Sequence, residues 1–313
     1  MITFESACGD GLKTAGFFND ADSGDIKGVV QICHGMSEFY GRYEQMVGRF
    51  NAAGYHVCGI DMTGHGQSFY ANDAMGYPKG YFGEGKDTWK NILKDIMHMH
   101  KEAVRRYGKD IKYIIYGHSM GSFVVRSIYS MPEYSGEFDG YVFASTMGPN
   151  PAVGLAKFLA SAGCALGHDR KVDNLLTTLS FGSYLKRVPN PRSANDWIST
   201  DAAEVDVYRA DPMLGFKFTS GGFRALFNIV GYMQSKQAYA NLCGKPCLFT
   251  YGSEDPVGDY GKGVEKVIAR MREHGVKPES KNYGPYRHEI QRESVREEYF
   301  SDLISFFDRV NRA

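Results

Sequence analysis

Gly117-His118-Ser119-Met120-Gly121 sets a serine between two glycines, each two residues away. A serine hydroxyl is a weak nucleophile and must be activated by a base. The run from Ile111 to Tyr116 is apolar and β-branched, and the run from Ser122 to Ser130 reads as a helix. Ser119 therefore falls at a strand-to-helix joint. A sharp turn there lifts the hydroxyl above a sheet, and glycines on either side remove side chains that would clash. The helix that follows offers free N–H groups and its dipole to a developing anion. Such a serine suits acyl transfer, with a histidine as base and a carboxylate to orient it.

The partners of such a serine follow in the order acid, then histidine. Of nine histidines, His274 and His288 lie well downstream. His274 sits at the end of a predicted helix, before Gly275, where it serves terminal carbonyls. His288 lies in "GPYRHE", after the predicted strand "PESKNYG" and so at a strand's carboxyl end, where open α/β sheets bind ligands. The acid belongs to the loop "SEDPVGD" after "KPCLFTYG". Asp255 is the choice there, Glu254 is its neighbour and competitor, and Asp259 starts the next helix. Oxyanion donors are expected from the backbone N–H of Met120 and from that of Met36, in the glycine-containing loop after "VVQIC". His34 props that loop by hydrogen bonding.

These residues need a scaffold, and the chain supplies one by alternation. "ITFESA" and "LKTAGFF" read as a hairpin around Gly9-Asp10-Gly11. "KGVVQICHG", "YHVCGID", "KYIIYG" and "FDGYVFAST" read as strands. "YGRYEQMVGRFNAAG" and "DTWKNILKDIMHMHKEAVRRYG" read as helices, the second with Asp87 as N-cap. The rhythm stops between about Met147 and Ser220, where no buried strand is expected. It resumes with "KPCLFTYG", a helix through "GKGVEKVIARMREHG", "PESKNYG" and a helix from Glu293 to Val310. Strands alternating with helices predict the α/β class: a mostly parallel sheet flanked by helices.

The ordered blocks "CHGMSEFYGRYE", "DMTGHGQS", "GHSMG", "GSEDPVGDYGKGV" and "RHEIQRE" together resemble the monoacylglycerol lipase and lysophospholipase group of α/β-hydrolases. The resemblance spans almost the whole chain. It implies the α/β-hydrolase fold, with core segments 1–147 and 221–313 and a largely helical cap at 148–220, inserted after the sixth core strand. It implies Ser119, Asp255 and His288 as a catalytic triad, and Met36 and Met120 as oxyanion donors. Asp61 and His65, in "DMTGHGQS", belong to a structural loop beside the site. The expected activity is hydrolysis of monoacylglycerol, lysophospholipid or related acyl esters through an acyl-enzyme on Ser119. A peptidase or amide hydrolase with the same triad is the alternative within enzymes. A non-catalytic ligand-binding protein on the hydrolase scaffold is the alternative outside them.

Composition narrows the partners. Lys+Arg and Asp+Glu both number 36, so no global basic field invites nucleic acid. Six cysteines show no C-x-x-C pair and several sit in apolar runs, which favours a reduced, cytoplasmic setting. "MITFESACGDGLKTAGFF" has neither a basic nor an apolar leader region, and no run reaches the length of a membrane span. In "MHMH", His98 and His100 are two apart on a predicted helix and share no face, so no metal is expected. No cofactor is called for. The stretch Ala152–Gly167 carries one charge, Lys157, and little polar surface. It reads either as a packed helix or as an apolar cover over an acyl groove in transient contact with lipid surfaces.

Overall fold

A computed structural model describes residues 1–9, 11–22 and 24–312. Asp10, expected in the first hairpin turn, lies outside the described residues. Eight strands form one sheet in the order β1-β2-β4-β3-β5-β6-β7-β8. They are β1 (Ile2–Glu5), β2 (Lys13–Asn19), β3 (Gly28–Cys33), β4 (Tyr55–Asp61), β5 (Lys112–His118), β6 (Gly140–Ala144), β7 (Cys247–Tyr251) and β8 (Glu279–Asn282). The first hairpin is antiparallel and joins β4 antiparallel; every other pairing is parallel.

Burial explains why the central strands are continuous apolar runs. Every residue of β3, β6 and β7 is buried, as parallel strands covered on both faces require. Side chains alternate between two cores. On β3, Val29 and Cys33 pack toward helices α3 (Thr88–Tyr107), α4 (Met120–Tyr129) and α10 (Lys262–Glu273). Val30 and Ile32 pack toward α1 (Glu44–Ala52) and α11 (Arg296–Arg312) on the other face. The edge strand β8 is polar and mostly exposed, which protects the open edge from pairing with other chains.

The remaining helices are α2 (Gly66–Ala71), α5 (Val153–Ala165), α6 (Asn174–Phe181), α7 (Ala202–Ala210), α8 (Ser220–Met233) and α9 (Lys236–Ala240). Helices α5 to α9 all lie between β6 and β7, and no strand occurs there among the described residues. The expected break in the strand–helix rhythm is thus present.

Several local expectations are corrected. Asp87 occupies the N-cap position of α3 but its carboxylate caps nothing; it lies 3.6 Å from Lys90 instead. Thr88 Oγ1 closes the turn by donating to the carbonyls of Glu84 and Gly85, each at 2.8 Å. Asp259 does not start a helix. It is left-handed (φ 51°), and α10 begins three residues later after Gly261. The last helix starts at Arg296, because Glu293 turns away to accept from Thr200 Oγ1 at 2.5 Å. His274 does serve a terminal carbonyl, with Nδ1 2.9 Å from the Arg270 oxygen.

Candidate active site

The sharp joint after β5 sits in the middle of the sheet, between β3 and β6. Ser119 adopts φ 51° and ψ −121°, a conformation that non-glycine residues rarely hold. Both flanking glycines are required by close backbone approach. A methyl on Gly121 would overlap the Cys33 carbonyl at the end of β3, and one on Gly117 would come within 2.5 Å of the Gly121 oxygen. The turn therefore packs α4 directly onto the sheet and holds Ser119 above it.

Two further strand ends bring the partners. Asp255 lies four residues beyond β7 and is fully buried. Its Oδ1 accepts from the Val257 N–H at 2.9 Å, and both its carboxylate oxygens lie 3.0 Å from His288 Nδ1. That contact leaves Nε2 of His288 as the ring's free nitrogen. His288 lies six residues beyond β8, and its backbone is anchored. Its carbonyl accepts from Ser145 Oγ at 2.6 Å and lies 3.2 Å from His118 Nε2. Ser119 and His288 line one cavity, and among the described residues the serine hydroxyl makes no hydrogen bond to the imidazole. Such bonds commonly tighten only when substrate arrives. Glu254, the competitor for the acid, makes no contact with the histidine ring among the described residues; its N–H donates to the Tyr286 carbonyl at 3.1 Å.

Met36 and Met120 border the same cavity. Among the described residues, neither backbone N–H has a hydrogen-bond acceptor. The loop carrying Met36 is braced from below. His34 Nδ1 lies 2.8 Å from the Gly35 carbonyl, while its Nε2 accepts from Met62 N–H at 2.9 Å. His65 Nε2 accepts from Ser37 N–H at 3.3 Å. Burial, reinforced by the nearby His34, holds His65 well below the ordinary histidine range, so its ring stays neutral and can accept. Asp61 accepts from the Tyr40 and Gln67 N–H groups, at 2.7 and 2.6 Å. Both residues of "DMTGHGQS" thus support the loop.

Two residues that sequence reasoning passed over stand at the centre of the site. Glu38 Oε1 accepts from the Gly35 N–H and from Tyr43 OH at 2.7 Å, and lies 3.0 Å from His118 Nδ1. Both side chains are buried. Burial opposes both charges, but each partner overcomes it for the other. The charge and hydrogen bond of His118 hold Glu38 down at about 2, and Glu38 raises His118. The available signals were an acid inside an otherwise uncharged loop and a histidine next to the serine.

The cavity measures about 490 Å³, within the range of small-ligand sites. Ser119 and His288 line it together with apolar side chains including Leu155, Leu159, Leu176 and Phe227. Helix α5 presents apolar groups outward as well. Leu155 is 63% exposed and Phe158 68%, and on α6 Leu175 is 61% exposed. No group of three or more His, Cys, Asp or Glu fit to hold a metal occurs among the described residues. His98 stacks on Phe4 at 4.2 Å, while His100 lies buried against Phe138.

Comparison with known proteins gives consistent neighbours. A family model described as "Serine aminopeptidase, S33" matches residues 24–295. The chain is 28% identical over 290 residues to a monoacylglycerol lipase of Mycolicibacterium smegmatis, covering 90% of this chain and 88% of that one. It is 23% identical over 287 residues to phospholipase YtpA of Bacillus subtilis, covering 90% and 95%. A solved thermostable carboxyl esterase from Bacillus coagulans, in complex with glycerol, superposes with a TM-score of 0.91 at 25% identity, covering 99% and 98%. The α/β-hydrolase fold expected from the sequence is thus present.

Proposed function

From the premise that the chain belongs to the serine aminopeptidase S33 family and is a carboxylic-ester hydrolase, we propose that it cleaves monoacylglycerols, lysophospholipids or related single-chain acyl esters through an acyl-enzyme on Ser119. The observation that carries this reading is the Asp255–His288 contact at 3.0 Å facing the same apolar cavity as Ser119. Ser119 attacks the ester carbonyl while His288 Nε2 takes its proton. Asp255 orients the ring and stabilises its charged form. The N–H groups of Met36 and Met120 receive the oxyanion. His288 then protonates the leaving alcohol, and water releases the acid by the reverse relay.

Residues 148–220 act as the cap over this cavity. Each methylene buried there contributes up to about 0.8 kcal/mol, which favours acyl chains over acetate. The outward apolar groups Leu155, Phe158 and Leu175 suit transient contact with a lipid surface. Among the described residues no helix is long and apolar enough to cross a membrane. All six cysteines are free thiols, which supports a cytoplasmic setting. A panel of p-nitrophenyl esters of rising chain length, run beside aminoacyl anilides, tests the reading. Turnover should rise from acetate to medium chains, and the anilides should be poor substrates. Preference for the anilides would make the enzyme an amide hydrolase.

A further inference from the structure

We propose that Glu38 and His118 form a charged clasp, with His118 an imidazolium, that positions the serine turn, the oxyanion loop and the histidine loop relative to one another. The inference rests on the active-site reading above, and it starts from proton counting. His118 Nδ1 faces a carboxylate oxygen at 3.0 Å, and Nε2 faces the His288 carbonyl oxygen at 3.2 Å. Both neighbours accept hydrogen bonds. A neutral imidazole carries one N–H and satisfies only one of them; the doubly protonated ring satisfies both. The ionised Glu38 balances its charge inside the core, and the Tyr43 hydroxyl and Gly35 N–H complete the shell of Oε1.

The clasp joins segments that the sequence keeps far apart. Glu38 belongs to the loop after β3 and fixes the Gly35 amide, one residue from Met36. His118 ends β5, one residue from Ser119. The His288 carbonyl belongs to the loop after β8. One ion pair thus ties down the chain beside the nucleophile, beside an oxyanion donor and at the base itself. The other ionisable neighbours are few. The His288 ring lies 4.8 Å from that of His118, Glu289 lies near His118 but is paired with Arg42 at 2.5 Å, and Arg42 and His34 both lie near Glu38. Glu38 and His118 are therefore positioning residues: they act through the backbone that carries the reacting groups.

The test uses the full chain with ¹⁵N-labelled histidine, and the variants Glu38→Gln and His118→Gln. The wild type should keep His118 as an imidazolium with two ring N–H signals at pH 6.5, the ordinary histidine value, a signal pair absent in His118→Gln and reduced to one N–H in Glu38→Gln. A misplacement of the reacting groups costs about 10²-fold. Glu38→Gln should therefore lower kcat on p-nitrophenyl acetate by about that factor with KM little changed, and slow fluorophosphonate labelling of Ser119 in parallel. The double variant should lose no more than the worse single one, because the pair acts as a unit. A His118 ring already neutral at pH 6.5 would overturn the proposal. So would losses that multiply in the double variant, or a Glu38→Gln enzyme with raised KM and unchanged kcat, which would make Glu38 a substrate contact. Failure of the active-site reading looks different: fluorophosphonate would not label Ser119 in the wild type, whatever the histidine spectrum.

Discussion

The indole of Trp197 lies against the imidazole of His288, ring centroids 5.0 Å apart and planes at 48°. A residue from the chain between β6 and β7 thus touches the histidine that faces Ser119. The contact is part of a seam. Arg287 Nη1 donates to the carbonyls of Asp196 and Ser199, at 2.6 and 2.9 Å, and Glu289 N–H donates to Ile198 at 2.8 Å. Thr200 N–H donates to Glu293 Oε1 at 2.7 Å. The histidine loop and residues 196–200 form one hydrogen-bonded unit.

Ser119→Ala should leave the fold intact and lower ester turnover by about 10⁴-fold or more. A fluorophosphonate should label the wild type at Ser119 alone, read by peptide mass spectrometry. Labelling elsewhere would move the nucleophile.

Asp255→Asn removes the charge facing His288 Nδ1 and should cost about 10⁴-fold in kcat. Glu254→Gln should cost less than about twofold, since Glu254 makes no contact with the ring among the described residues. Steady-state kinetics on one ester ranks the two.

Gly121→Ala should destabilise the protein by about 1–3 kcal/mol, as overpacking does, because the new methyl meets the Cys33 carbonyl rather than a yielding side chain. Urea melts measure it. A neutral result would mean that α4 can draw back from β3.

The sequence disclosed what depends on neighbours along the chain. The change from β-branched run to helix placed Ser119 at the joint after β5, and the strand pattern placed Asp255 beyond β7 and His288 beyond β8, as the structure has them. It did not disclose the Glu38–His118 pair, because the partners are 80 residues apart and no periodicity relates them. Trp197 was equally hidden: it lies in a turn-rich stretch whose course is set by contacts with the histidine loop. Asp87 misled because its own backbone carbonyl, and not its carboxylate, accepts from the Lys90 N–H at 2.8 Å.

The Glu38–His118 pair gives stability a pH window. A carboxylate held below its ordinary value of 4.5 contributes stability above that pH and loses it as pH falls toward about 2. An imidazole held above 6.5 contributes fully below that pH and loses it as pH rises through its folded value. The stability difference between wild type and Glu38→Gln, from urea melts across pH, should peak between 4.5 and 6.5 and shrink on both sides. A flat difference would place the charge elsewhere.

Leu155→Asp or Leu159→Asp should depress turnover of medium and long acyl esters while sparing acetate, since both residues line the cavity from α5. Leu155 is 63% exposed, so its replacement should alter stability by no more than about 0.5 kcal/mol. Equal loss across chain lengths in a folded variant would give α5 a supporting role only.

The seam between residues 196–200 and the histidine loop divides the insertion into two parts with different freedom to evolve. Any change in the seam is felt in the histidine loop, so this part is bound to the placement of His288. Helices α5 and α6 line the same cavity with Leu155, Leu159 and Leu176 and carry their own exposed apolar surface. They form an exchangeable module: a graft of another α5–α6 pair, joined upstream of Asp196, should transfer chain-length preference while the rate on acetate stays with the host.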